Sequence, residues 1–270
     1  MTESRETRAV ILAAGEGRRL RPHTESRPKC LVPLGGRPLL ERQLIALEAC
    51  GITETTICTG YRAEALETYG GERRHNPRYA ETNMVASLMA ARDRLDGSAD
   101  VLIAYSDIVY EPRLVEALLA CEDDFAVTVD RAWERLWSAR LDDPLADAET
   151  LRIGPDGRLT ELGRRPRSRD EIEAQYMGLI LARAPFVARL VELWDGLDPS
   201  GDYEGRDRDN MYMTAFLQML IDRGEAPRAV VIDGGWLEVD TVEDLALYER
   251  RAAQGRLDEL CRLPGGSEPC

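Results

Sequence analysis

Five consecutive apolar residues, Ala9-Val10-Ile11-Leu12-Ala13, run straight into a loop that holds Gly15 and Gly17. A strand that is apolar on both faces must be covered on both, as in a parallel sheet between two layers of helices. Glycines just past such a strand let the backbone turn tightly and bring its N–H groups close to an anion. The spacing Gly15-x-Gly17-x-x-Leu20 lacks the third glycine of a dinucleotide fingerprint, and no Gly-Lys-Ser/Thr follows it. Two common phosphate-binding loops are therefore disfavoured.

The loop is also the most basic part of an acidic chain. Between Arg18 and Arg37, six basic residues (Arg18, Arg19, Arg21, Arg27, Lys29 and Arg37) stand against one acid, Glu25, in a protein whose formal net charge is −14. Positive charge is gathered where a polyphosphate would sit. Of the 35 basic residues, Lys29 alone is lysine. An ammonium is a compact point charge and a guanidinium a broad planar fork, so a narrow phosphate pocket would select lysine. Chance placement of a single lysine is the competing account.

Strand-like runs alternate with amphipathic helices, the pattern of a doubly wound α/β fold with a mixed, mainly parallel sheet. The pattern predicts a helix over 38–50 ended by Gly51, a strand over 53–59 closed by Gly60 and Tyr61, a helix from Thr82 or Asn83 through Leu95, and a strand over 101–105. A helix over 113–121, a strand over 125–129, a turn at Pro155-Asp156-Gly157 and a strand over 176–182 follow. Helices over 185–194 and 210–223, strands over 230–233 and 236–239, and a helix from Val242 complete the series. Residues 1–255 are expected to form one domain and 256–270 a C-terminal tail. The charge-rich stretch 132–170 is expected to be a lid or insertion.

In such sheets ligands bind beyond the carboxyl ends of the strands. Asp107 follows the strand 101–105, and Asp240 follows the strand 236–239. Two carboxylates meeting there would suit Mg²⁺, which takes one or two protein oxygens and completes its shell with water and phosphate. Asp240 reads equally as a helix cap and Asp107 as a turn residue. Asn83 and Ser87 lie four apart, on one face of their helix, where they could reach a base or ribose; Asn83 could also be no more than the cap.

The segment Leu12-Ala-Ala-Gly-Glu-Gly-Arg-Arg-Leu-Arg-Pro-His-Thr-Glu-Ser-Arg-Pro-Lys29, with Cys30-Leu-Val-Pro-Leu-Gly-Gly-Arg-Pro-Leu-Leu-Glu41 after it, resembles the opening signature of nucleotidyltransferases that join an NTP to a phosphorylated small molecule. Thr82-Asn-Met-Val-Ala-Ser-Leu88, Tyr105-Ser-Asp107, Gln175-Tyr-Met-Gly178 and Trp236-Leu-Glu-Val-Asp240 resemble the branch that holds bacterial CTP:phosphocholine and phosphonate cytidylyltransferases. The resemblance runs from about Arg8 to Tyr248. It implies a Rossmann-like nucleotidyltransferase fold with Mg²⁺ on Asp107 and Asp240, and catalytic roles for Lys29, Arg19 and Asp107. It further implies nucleotide contacts from Leu12, Ala13, Ala14, Gly15, Gly17, Arg18, Gly60, Tyr61, Asn83, Ser87 and Ser106. Arg18 departs from the pattern, since many sugar-1-phosphate members carry Ser or Thr there.

The implied reaction is attack of a phosphate or phosphonate oxygen on the α-phosphorus of CTP, with pyrophosphate leaving. A phosphomonoester is already largely dianionic at neutral pH, so no general base is required. His23 and His75 are accordingly expected to be loop residues. The acceptor would be phosphocholine or an aminoethyl or hydroxyethyl phosphonate. A quaternary ammonium calls for aromatic faces, which Trp133, Trp137, Tyr176, Tyr203, Tyr212 and Trp236 could supply, each being also an ordinary candidate for core packing. A primary ammonium calls for carboxylates, for which Glu134, Glu173, Asp207 and Asp209 are available. The alternative is a sugar-1-phosphate nucleotidyltransferase. A non-catalytic nucleotide-binding regulator is disfavoured by the joint presence of Lys29, Asp107 and Asp240.

Composition narrows the setting. No 18-residue apolar run occurs and the first residues lack a hydrophobic signal core, so a cytoplasmic protein without a membrane partner is expected. Cysteines at 30, 50, 58, 121, 261 and 270 have no Cys-x-x-Cys spacing and only two histidines accompany them, which excludes a familiar zinc set and suggests reduced thiols. A sequence pI near 4.8 argues against a nucleic-acid surface. Homo-oligomerisation is left open.

Overall fold

The structure, a computed structural model, describes residues 6–266. In chain order its strands are β1 (Thr7–Ala13), β2 (Pro33–Leu34), β3 (Arg37–Pro38), β4 (Thr55–Thr59), β5 (Glu72–His75), β6 (Asp100–Tyr105) and β7 (Ile108–Tyr110). These are followed by β8 (Phe125–Asp130), β9 (Leu151–Ile153), β10 (Leu159–Leu162), β11 (Gln175–Ala182), β12 (Arg228–Ile232) and β13 (Trp236–Glu238). The α-helices are α1 (Leu39–Ala49), α2 (Met84–Met89), α3 (Pro112–Leu119), α4 (Trp133–Arg140), α5 (Ala184–Asp195), α6 (Met213–Asp222) and α7 (Val242–Ala253).

The central sheet has seven strands in the order β12-β8-β11-β6-β1-β4-β5. Every adjacent pair is parallel except the two made by β11, which is antiparallel to both β8 and β6. This is the expected mixed, mainly parallel sheet. Successive residues of β1 serve opposite layers, because side chains alternate across a strand. Ala9, Ile11 and Ala13 pack with Leu39, Leu40, Leu114 and Tyr248 on one face. Val10 and Leu12 pack with Val85, Leu88, Val187 and Phe216 on the other. Helices α1, α3 and α7 thus cover one face and α2, α5 and α6 the other, which is why β1 carries no polar residue between Ala9 and Ala13.

Local signals explain the helix ends. Pro112 opens α3 at its first position, where a missing N–H costs nothing. Gly51, at φ +79°, follows α1 in the left-handed conformation that favours glycine. Thr241 and Asp244 form a reciprocal capping box at the start of α7, so Thr241 and not Asp240 is that helix's cap. The helix expected over 82–95 is instead the short α2 and a separate 3₁₀ turn, Arg92–Arg94.

The stretch 132–170 contains α4, whose Trp133, Leu136 and Trp137 are buried in the core, and the antiparallel hairpin β9-β10 around the turn at Pro155–Gly157. Its weak strand signal reflects the three- and four-residue lengths of β9 and β10. Leu257, Leu260, Cys261 and Leu263 join the same core. Cys30, Cys50, Cys58, Cys121 and Cys261 are free thiols, and Cys270 lies outside the described residues. Among the described residues no helix is long and apolar enough to cross a membrane.

Candidate active site

Parallel strands β1, β4 and β6 end at one edge of the sheet, where the loop 14–28 and the turn at Ser106-Asp107 emerge. A second device brings Asp240 to the same place. Strand β13 is not part of the central sheet; it pairs antiparallel with β7, with Glu238 opposite Ile108 and Trp236 opposite Tyr110. The Val239 N–H continues that ribbon by donating to the Asp107 carbonyl at 2.9 Å. The register of a two-stranded ribbon therefore sets the two aspartates face to face, although they are 133 positions apart in sequence (240 − 107).

Lys29 joins them. Its Nζ donates to Asp107 Oδ2 at 2.8 Å and to Asp240 Oδ1 at 2.7 Å. Burial works against the ammonium, but Asp107 and Asp240, with Glu238 behind them, outweigh it and raise its pKa above the ordinary lysine value. Arg19 Nη1 reaches Asp240 Oδ2 at 2.5 Å from the solvent side. Gly17 supports the lysine: it sits at φ +61°, and a Cβ there would lie 2.8 Å from the Lys29 Cβ. The Asp240 amide donates to Asp244 Oδ2 at 3.1 Å, which fixes the backbone that carries the carboxylate.

Two clefts adjoin this centre. One, of about 140 Å³, is lined by Leu12, Ala14 and Gly15 from the first strand and its loop, by Lys29, Ser106 and Asp107, and by Tyr79, Thr82, Asn83, Met84 and Ser87. Asn83 is both cap and wall: its Oδ1 accepts from the Met84 N–H at 2.8 Å while the residue borders the cleft. Ser87, one turn on, borders it too, as the spacing of four requires.

The other cleft, of about 240 Å³, is bounded by Tyr105, Trp137, Tyr176, Tyr212 and Trp236 and by three carboxylates, Asp147, Glu149 and Glu238; Met84 belongs to both clefts. Backbone irregularity builds its wall. The register of β11 shifts between Tyr176 and Ile180, and Gly178 stands at φ +90° where a Cβ would meet the Tyr105 ring at 2.7 Å. Tyr105 and Tyr176 can then meet edge to face, with centroids 5.7 Å apart. Buried Asp130 accepts the Trp236 indole N–H at 2.9 Å and holds that ring in place. Gln175 clamps the backbone of Glu149 from both sides, accepting its N–H at 2.9 Å and donating to its carbonyl at 2.5 Å. Burial, with Glu238 and Asp147 nearby, pushes the Glu149 carboxyl up to about 7. Behind the cleft, Arg140 donates to Glu238 at 2.6 Å and to Asp244 at 2.9 Å and lies over the Trp137 ring.

A mainly parallel sheet carrying a glycine turn, a buried lysine and two facing carboxylates at one edge also matches known proteins. Residues 9–168 match the MobA-like NTP transferase domain. This chain belongs to that family. The nucleotidyltransferase is 38% identical over 246 residues to the CTP:phosphoglutamine cytidylyltransferase of Campylobacter jejuni, covering 88% of this chain and 97% of that one. It is 31% identical over 123 residues to the 2-aminoethylphosphonate cytidylyltransferase of Lancefieldella rimae, covering 42% of this chain and 50% of the relative. The solved CTP:phosphocholine cytidylyltransferase of Streptococcus pneumoniae shares the fold, with a TM-score of 0.69 at 23% identity over 91% of this chain and 98% of that one.

Residue by residue, the nucleotidyltransferase brings together most of what its sequence suggests. Leu12, Ala14, Gly15, Lys29, Asn83, Ser87, Ser106 and Asp107 share one cleft, and Trp137, Tyr176, Tyr212 and Trp236 share the other. Ala13 turns instead into the core layer under α1. Arg18 is exposed and paired with Glu16 at 2.6 Å. Gly60 lies beneath Tyr79, with its Cβ position 2.6 Å from the Tyr79 Cβ, so it admits the ring and does not itself line the cleft. Tyr61 points away, its hydroxyl donating to the Glu25 carbonyl at 3.0 Å.

Trp133 packs behind Trp137 at 6.0 Å and does not line the larger cleft; Tyr203 likewise turns aside, its hydroxyl donating to the Asp198 carbonyl. The carboxylates picked for a primary ammonium are engaged elsewhere: Glu134 with Arg169, Glu173 with Arg152, Asp207 with Asn210 and Asp209 with Arg78. Asp147, Glu149 and Glu238 stand in the cleft in their stead, and sequence reasoning misses them along with Tyr79. Glu238 has a signal, since it ends β13 two residues before Asp240, the spacing that puts side chains on one face of an extended chain. Glu149 and Asp147 have none, because they sit in irregular chain before β9.

Proposed function

We propose that this nucleotidyltransferase transfers CMP from CTP to a small phosphoester or phosphonate that bears a cationic nitrogen, releasing pyrophosphate and using Mg²⁺. The observation that carries this reading is the larger cleft, where three carboxylates and several aromatic faces border the space next to Lys29, Asp107 and Asp240. Carboxylates and aromatic faces together attract an ammonium, whether primary or quaternary. Arg140 already pairs with Glu238, but Glu149 has no cation of its own among the described residues, and a neutral, hydroxyl-rich sugar would supply none. Phosphoglutamine, 2-aminoethylphosphonate and phosphocholine, the acceptors in the relatives' names, all bear nitrogen substituents of this kind.

The reaction requires two anions to be held together. Leu12, Ala14, Gly15, Asn83 and Ser87 would border the nucleotide, with the basic loop at its phosphates. The acceptor's cationic end would lie among Glu149, Glu238, Trp137 and Trp236, its phosphate turned toward Lys29. An acceptor oxygen then attacks the α-phosphorus, a P–O bond forms, and the bond to the β-phosphate breaks. Lys29 offsets charge on the reacting phosphates and Arg19 steadies Asp240 from outside, so rate comes from positioning and fixed charge. Asp107 and Asp240 are suited to a hard divalent cation: Asp107 Oδ1 is buried without a hydrogen-bond partner among the described residues, and both carboxylates already converge on one ammonium. Bound there, Mg²⁺ would supply further charge neutralisation.

The test is pyrophosphate release with Mg²⁺ and CTP, UTP, GTP, ATP or dTTP, crossed with phosphocholine, 2-aminoethylphosphonate, phosphoglutamine, 2-hydroxyethylphosphonate and glucose-1-phosphate. Turnover that needs CTP and a cationic acceptor is expected. Equal turnover of 2-hydroxyethylphosphonate, or turnover confined to glucose-1-phosphate, would overturn the acceptor reading.

A further inference from the structure

Behind the smaller cleft lies Asn76, a buried residue that does not line it. Its amide orientation is fixed without ambiguity: the Arg78 backbone N–H, which can only donate, gives its proton to Asn76 Oδ1 at 2.9 Å. The NH₂ group therefore faces two hydroxyls that line the cleft, donating to Thr82 Oγ1 at 2.9 Å and Ser87 Oγ at 3.0 Å. Each hydroxyl, having accepted from Asn76, keeps its own O–H to donate. Thr82 does so well, to the Arg78 carbonyl at 2.9 Å. Ser87 does so poorly, with 3.4 Å to an Asn83 carbonyl that already accepts the Ser87 backbone N–H at 3.1 Å. The Ser87 proton is thus available to a ligand in the cleft.

Resting on the CTP reading above, we propose that Asn76 is a positioning residue for base selection: by donating to Ser87 it makes that hydroxyl a donor toward the nucleotide, which favours cytosine over uracil. Cytosine presents an acceptor at ring N3, whereas uracil presents an N–H there, which cannot accept from a hydroxyl biased to donate. Buried polar partners discriminate strongly because the wrong ligand leaves one of them unsatisfied.

Asn76→Asp inverts the arrangement at nearly constant shape. The Arg78 N–H keeps its acceptor, but the second carboxylate oxygen now accepts from Ser87, whose lone pairs turn to the cleft. The assay is calorimetric titration of CTP and UTP at pH 8, which needs no acceptor substrate, with circular dichroism to verify folding. The ratio of the UTP to the CTP dissociation constant is expected to fall about tenfold in Asn76→Asp, the scale of one mispaired hydrogen bond. The shift should vanish when Asn76→Asp is introduced into a Ser87→Ala background. Equal losses for both nucleotides would mean that Asn76 is merely structural, and would overturn the proposal. If Asn76→Asp does not fold, Ser87→Ala decides: weaker CTP with unchanged UTP supports the inference, and parallel changes overturn it. Failure of the CTP reading is separately visible, as a wild-type protein that binds UTP as tightly as CTP.

Discussion

Lys29→Arg keeps the charge at the centre of the site and changes its shape. The ammonium reaches both aspartates at 2.7–2.8 Å, on a side chain that is 10% exposed. Its stem is closed in by Gly17, whose Cβ position lies 2.8 Å from the Lys29 Cβ and 3.1 Å from its Cγ. A guanidinium is larger and planar, and it cannot reproduce two short contacts from one point. Overfilling a packed site costs about 1–3 kcal/mol, and a chain of this size loses about 2–4 °C in Tm per kcal/mol. The catalytic loss should be larger. One preorganised donor in a reacting site is worth about 2.7–4 kcal/mol, or about 10²–10³ in kcat. Lys29→Arg should therefore stay folded, melt within roughly 10 °C of the wild type, and lose about 10²-fold or more in kcat with saturating CTP and acceptor. Lys29→Met is a harsher companion, because removing one partner from a buried ion pair costs about 3–5 kcal/mol. Wild-type turnover in Lys29→Arg would refute the claim that a compact ammonium is what the site selects.

Glu149→Gln tests the proposal that the larger cleft holds the acceptor. The Glu149 carboxyl titrates near 7, so acceptor KM in the wild type should rise as pH falls below about 7, toward tenfold per unit, and that inflection should disappear in the variant. The folded pKa is raised, so the folded protein binds more protons than the unfolded chain and stability is lost as pH rises from about 4.5 to 7. Glu149→Gln should then melt higher than the wild type at pH 8 while its acceptor KM rises about 10- to 100-fold, a combination that general damage does not produce. Gly17→Ala places a side chain at φ +61° against Lys29 and should cost about 2–5 kcal/mol in denaturant unfolding and lower kcat with it. Arg140→Met leaves Glu238 and Asp244 without their shared cation, Asp244 being the carboxylate that accepts from the Asp240 amide. Loss of about 3–5 kcal/mol of stability, with a rise in acceptor KM, is expected by thermal melting and initial rates.

What the sequence reveals of this site depends on whether a residue's position follows from its own segment. Gly15, Asn83, Ser87 and Asp107 stand at strand ends or at one-turn spacing, so local periodicity is enough to place them. Asp240 does stand at a strand end, yet its strand belongs to a ribbon with β7 and not to the central sheet, and no local pattern distinguishes those two partners. Glu149 sits in irregular chain held by Gln175 from a different strand, a contact between residues 26 positions apart that neither segment announces. Gly60 reads as a nucleotide contact because it ends a strand, but the ring of Tyr79 lies over it.

The two clefts differ in charge for a physical reason that composition conceals. Lys29 lines the smaller cleft, with the other basic residues of the segment 18–37 outside its lining, while Asp147, Glu149 and Glu238 line the larger one. A substrate with one anionic and one cationic end is oriented by such a gradient before any contact forms, its phosphate toward Lys29 and its nitrogen toward Glu149. The same arrangement presses Glu238 against Asp107 and Asp240, so the cations between them must be internal. Lys29 and Arg140 fill those two positions, one bridging the aspartates and one joining Glu238 to Asp244. Screening by salt is weak for such buried groups and strong for the exposed basic loop. Raising ionic strength should therefore weaken nucleotide binding more than it weakens acceptor binding, which KM values for the two substrates between low and high salt can measure.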